Sequence, residues 1–225
     1  MASMIDSILS GFHSYKQKVG NGIMYSILLM FVGMLEFIPF IGPIIYSYIY
    51  PSVLRKVADT WDLSKGEMNK DIAFKIALLV YGIPGILMWI LIVYIIFTLL
   101  SSGISSTMSG GLYMYLLHHA VTLWVGILLI GVIQIILSLL FYASFIDTIL
   151  GKSAKISIRI KDSFLYIVTK IITLLIIYIP LTVFKFIGAL ISPVVYLAFS
   201  IISAIVVILT ITIPLLSVFH YAANQ

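Results

Sequence analysis

Glu36 is the single charged residue in an apolar run from Ile23 to Leu54, and a carboxyl group there has three chemistries open to it. It can act as a proton or cation site, or form an ion pair with a basic residue of another span. Or it can lie shallow, protonated or in contact with headgroups. An ionisable group inside a span costs about 2.5–3.5 kcal/mol on insertion scales for charges such as Asp at mid-helix, and so points to function. Its neighbours are Glu36-Phe37-Ile38-Pro39-Phe40-Ile41-Gly42-Pro43. Proline lacks the backbone N–H and clashes with the preceding turn, so a helix breaks here and the stretch reads as the tip of a helical hairpin. The partner best placed for Glu36 is Lys185, which the threading derived below puts toward the same side.

The remaining polar residues are weaker candidates. Lys75 and Lys170 lie one and two turns inside a span boundary, where lysines snorkel to the headgroups; Lys170 is deep enough to face the bundle interior instead. Arg55, Lys56, Lys152, Lys155, Arg159 and Lys161 cluster in loops and fit anionic lipid headgroups. His118 and His119 are adjacent, so on a helix they point about 100° apart and do not share a metal easily. Gln134 and Ser138, one turn apart, suit interhelical hydrogen bonds. No His-x-x-x-His spacing, Gly-rich phosphate loop, Ser/His/Asp set or catalytic carboxylate pair occurs, so neither a metal site, a cofactor nor an enzymatic role is expected. With no cysteine, disulfides and thiolate chemistry are excluded.

The elements that must carry these residues follow from composition. The 225-residue chain is 62% hydrophobic and 9% charged, against roughly 25% charged in soluble domains. Its mean hydropathy is +1.21. The apolar runs are continuous rather than alternating, which argues against a β-barrel and for an all-α polytopic bundle. Six spans are predicted, at about 22–38, 43–57, 72–100, 112–145, 163–183 and 193–219, the first two forming a tight hairpin that spans fully or re-enters. They make one integral membrane domain over 1–225, with a basic cytoplasmic loop at 146–162. Residues 1–20 hold a short interfacial helix, in which Ile5, Ile8, Leu9, Phe12 and Tyr15 share one face and Ser7, Ser10 and Ser14 lie off it. Tyr46, Tyr48 and Tyr50 read as interfacial anchors, and Trp61 as resting at the headgroups. Gly82-Ile83-Pro84-Gly85 marks a kink.

With the amino terminus inside, all of the 13 Lys and Arg residues except Lys185 fall in or beside cytoplasmic segments. That is a nearly complete positive-inside bias, and it puts both termini in the cytoplasm of a multi-pass cell-membrane protein. The net charge of +5 then reflects a lipid surface and not nucleic acid.

The hairpin Phe37-Ile38-Pro39-Phe40-Ile41-Gly42-Pro43, the helix ending in Leu54-Arg55-Lys56, and Tyr81-Gly82-Ile83-Pro84 after a Trp-containing acidic loop together resemble the domain of unknown function 4013 family of bacterial and archaeal membrane proteins. The acidic loop here, Trp61-Asp62-Leu63-Ser64, departs from the Pro-Glu-Trp-Asp character expected of that family. The resemblance implies topology and no activity. Two function classes stay open, and the first is preferred because Ser, Thr and Tyr are scattered over the spans and mark no polar pathway. One is a non-enzymatic accessory, scaffold or subunit protein that binds other membrane proteins or its own copies. The other is a small transporter or channel for a proton, ion or small solute that uses Glu36.

Overall fold

A computed structural model describes residues 3–103, 111–153 and 155–225, without the side chains of 99, 101–103 and 111–119. The side chains of His118 and His119 therefore lie outside the described residues. Every regular element among the described residues is helical, as the apolar runs predict.

Helix α1 (Met4–Gln17) starts in a capping box: the Ser3 hydroxyl accepts from the Asp6 amide at 3.1 Å and the Asp6 carboxylate accepts from the Ser3 amide at 3.0 Å. The Ser3 hydroxyl, and then its amide, hold the Asp6 carboxyl below its ordinary value. A carboxyl depressed on folding contributes stability above its unfolded pKa and loses it as the pH falls through the folded one. The first turn of α1 is thus expected to fray on acidification below the normal carboxylate range. Helical Cα chemical shifts of residues 4–8 should report this, and the pH dependence should vanish in Asp6→Asn.

Helix α2 (Val19–Met34) passes through a 3-10 turn at Leu35–Phe37 into α3 (Ile41–Thr60). Next come α4 (Lys70–Ala77), a π-helical turn at Leu78–Gly82 and α5 (Ile83–Gly103). The kink expected at Pro84 is thus taken up by the wider turn just before it, a usual place for a π-bulge. Helix α6 (Gly111–Ile149) and α7 (Ile160–Ile191) are single long helices, the second running straight through Pro180. The last predicted span is two helices, α8 (Pro193–Thr210) and α9 (Thr212–Ala223). Pro214 explains the break, because it cannot donate to the carbonyl of Thr210 four residues back.

Among the described residues five segments are long and apolar enough to cross a membrane: Val19–Phe37, Lys70–Thr98, Ala120–Ile149, Ile160–Ile191 and Pro193–Ala223. Helix α3 does not meet that standard, which corrects the sequence-based count of six. It is instead the shielded centre of the bundle, with Ser47, Tyr50, Pro51, Val53, Leu54, Val57 and Ala58 all buried. Around it, Ile76, Ala77, Val80, Phe145, Ile146, Ile149, Leu216 and Phe219 form the core. This core lies at the end of the bundle where α3, α6 and α9 terminate. Toward the other end the helices present isoleucine, leucine and valine outward, as at Leu128, Leu190 and Val194.

Helix α1 lies along α9, which brings the two terminal helices to one end of the bundle. The face it buries is not the predicted apolar stripe. Ser7, Gly11 and Ser14 are buried together with Ile8, while Ile5 and Leu9 are exposed. Small residues permit close helix approach where water exerts no hydrophobic drive, and a Cβ at Gly11 would stand 2.8 Å from the Ser217 backbone nitrogen. Trp61 is likewise not at the surface. It is buried, and its indole N–H donates to the Ser14 carbonyl at 2.8 Å.

The basic residues at this end are only partly free for lipid. Arg55 donates to the Ile149 carbonyl at 2.9 Å and to that of Gly66 at 2.6 Å, and pairs with Asp59 at 2.8 Å. Lys65 and Lys152 donate to the Ala223 and Ala222 carbonyls, capping α9, and Lys18 caps α3 at Thr60. Cations at the negative end of a helix dipole are stabilising, so the helix termini claim Arg55 and Lys152, which were expected to face headgroups. Burial pulls the Lys152 ammonium below its ordinary pKa against the opposing pull of Asp147. Lys56, Lys155 and Lys161 stay exposed.

Candidate functional site

Glu36 sits on the 3-10 turn, where the chain reverses between α2 and α3. Phe40 supplies a positive φ of 58°, and the Gly42 amide donates back to the Ile38 carbonyl at 3.0 Å. Trp89 of α5 anchors the turn by donating its indole N–H to the Glu36 carbonyl at 3.0 Å. The Glu36 side chain is half-buried and lines a cavity of about 170 Å³ with Tyr81, Pro84, Met88, Ile130 and Gln134.

Below it, aromatic rings from three helical segments converge. Tyr46 and Tyr50, one turn apart on α3, stack at 4.8 Å. Tyr81, turned inward by the π-helical turn, stands edge-on to both at 5.8 and 5.6 Å. Phe145 closes the cluster, stacked on Tyr50 at 6.2 Å. Of the three tyrosines expected as interfacial anchors, only Tyr48 points outward, 68% exposed.

Lys170 is ten residues into α7, ~15 Å along the helix, with its ammonium 5.9 Å from the centre of the Tyr142 ring. It lies beside a larger cavity of about 700 Å³ between α6 and α7. Gln134, Ser138 and Tyr142 form its polar wall, and Ile135, Leu139, Phe164 and Ile171 its apolar one. Tyr81 and Gln134 line both cavities, so Glu36 and Lys170 stand at two ends of one polar track.

The structure does not bring Glu36 and Lys185 together. Among the described residues the ion pairs are Lys18–Asp62, Arg55–Asp59, Arg159–Asp147 and Arg159–Asp162. Lys185 lies instead near the far end of α7, which is packed on α8 through Phe184 and Phe199, stacked at 3.7 Å. The contact fails because depth alone was used to pair the two residues, and depth says nothing about which helices are neighbours.

A second polar cluster lies at the packed end. Asp147, expected in the loop, is in the last turn of α6 and buried. Arg159 donates to it and, at 2.8 and 2.7 Å, to Asp162. Burial opposes the Arg159 charge, but Asp147 and Asp162 outweigh it and raise its pKa. The second oxygen of Asp147 and the hydroxyl of Tyr166 are buried without a hydrogen-bond partner among the described residues. This arrangement claims Arg159, another residue expected at the headgroups. No group of three His, Cys, Asp or Glu able to hold a metal occurs among the described residues.

The track was missed in the sequence, although a signal for it exists. Gln134, Ser138 and Tyr142 recur every four residues and so share one face of α6, and Tyr46 and Tyr50 do the same on α3. What no spacing reveals is that these faces meet. Comparison with protein-family models, curated proteins and solved structures found no match for this chain.

Proposed function

We propose that this protein is a small membrane carrier in which Glu36 takes up and releases a proton or cation, and not an accessory subunit. One observation carries the reading: Glu36, Tyr81, Gln134, Ser138, Tyr142 and Lys170 come from separate segments of the fold and line two cavities that share Tyr81 and Gln134. Polar and ionisable side chains inside a bilayer are costly to keep, so their grouping across helices favours a transport role over chance. A subunit that only docks to others has no need of a charged residue at each end of such a track. The positive-inside bias supports a cytoplasmic location for the packed end, with Lys56, Lys155 and Lys161 meeting anionic headgroups.

The test is flux. Purified full-length protein in liposomes should move protons or a driven solute faster than empty liposomes do. Glu36→Gln should lower that flux about tenfold or more, since it removes the carboxyl group at that end of the track. Flux equal to that of empty liposomes, together with stoichiometric copurification of another membrane protein, would overturn the carrier reading in favour of the accessory one.

A further inference from the structure

We infer that the groove between α6 and α7 binds a single-chain amphiphile with an anionic head drawn from the bilayer, the head on Lys170 and the chain along the apolar wall. This deepens the carrier reading and rests on it for the ligand's passage, though not for its binding.

Three observations lead there. The cavity volume of about 700 Å³ lies within the 300–1,000 Å³ typical of ligand sites. Its lining is amphipathic, with Lys170, Ser138 and Tyr142 beside Leu139, Phe164 and Ile171. Among the described residues no carboxylate pairs with Lys170. A lysine inside a span ordinarily has a counter-charge or a water-filled cavity. A ligand carboxylate or phosphate would supply the missing charge and accept its N–H groups in charge-assisted hydrogen bonds.

The route of entry selects a lipid-borne anion over a dissolved one. Ile135, Phe164 and Ile171, at the groove's edge, are 60%, 54% and 48% exposed on the outer surface of an apolar bundle, which is the acyl-chain side. An acyl chain therefore reaches the groove directly from the side, whereas an anion dissolved in water would have to cross this apolar surface first.

The experiment uses full-length protein in neutral phosphatidylcholine vesicles with a diazirine-bearing palmitic acid, and maps the photolabelled peptides. Labelling should concentrate on residues 131–142 and 164–174 and be displaced by oleate, but not by sodium phosphate. Lys170→Gln should lower it about tenfold, the worth of one charge-assisted hydrogen bond, while Lys170→Arg keeps most of it. Leu139→Trp, which fills the groove and leaves the charge, should lower it as well. Equal labelling in wild type and Lys170→Gln, labelling spread as strongly over α5 and α8, or displacement by sodium phosphate would each overturn the proposal. Labelling needs no gradient, so the two readings fail separately. A chain that labels without flux fails as a carrier, and one that carries protons without labelling fails here.

Discussion

Arg159→Gln is expected to destabilise the protein by about 2–3 kcal/mol, and adding Asp147→Asn should restore most of that loss. Asp147 is 5% exposed and one of its oxygens already lacks a partner, so its charge depends on the guanidinium. Breaking a buried pair by removing one member typically costs about 3–5 kcal/mol, because the remaining charge is left uncompensated in low dielectric. The figure here is placed lower for two reasons. The Arg159 side chain is 39% exposed and partly screened, and Lys152 lies close enough to Asp147 to take up part of its field. With Asn at 147 no charge is stranded, so the double variant should recover while still lacking the ion pair. Unfolding of the four chains in one detergent, read as a double-mutant cycle, gives the coupling directly. Two single variants whose losses simply add would show that Asp147 does not need Arg159.

Gly42→Ala should cost about 2–3 kcal/mol, by forcing apart the turn that carries Glu36. A Cβ at position 42 would lie 1.9 Å from the Leu35 carbonyl oxygen and 3.0 Å from the Ile38 Cβ. The first of these is backbone and cannot rotate away, so the 3-10 turn must open. Opening it moves the Glu36 carbonyl off the Trp89 indole and the carboxyl out of its cavity, so flux should fall together with stability. Gly33→Ala is the control. Nothing lies within 4 Å of a Cβ there, and alanine is the better helix former by about 1 kcal/mol, so the variant should be neutral or slightly stabilised. Both effects are read from thermal unfolding in the same detergent. A Gly42→Ala protein as stable as wild type would mean that the hairpin tip is looser than its hydrogen bonds indicate.

Several corrections share one cause. Asp147 falls within the loop predicted at 146–162, yet α6 runs on to Ile149 although an acidic residue near a helix C-terminus is unfavourable on its own. The helix continues through it because Arg159, twelve residues on in sequence, folds back to offset the charge. Arg55 and Lys152 looked like lipid contacts because they flank apolar spans, yet they cap carbonyls of other helices. Trp61 looked interfacial for the same reason, and Ser14 of α1 captures it. In each case a residue whose type suits a membrane surface found a better partner in a distant segment.

The sequence by itself determined the class of fold, the hairpin around Pro39 and Pro43, the break near Pro84, and the segregation of basic residues to one side. These depend on local covalent facts, such as a missing N–H, or on sums over residues, such as hydropathy and charge. Only the tertiary structure decided that α3 is the hidden centre, that the small face of α1 is its buried one, and that Lys170, not Lys185, shares a track with Glu36. Helix neighbours in lipid are selected by close packing and by the satisfaction of polar groups, and not by hydrophobicity, which every apolar face supplies equally. Hydropathy therefore marks which segments enter the membrane and is silent on which faces meet there.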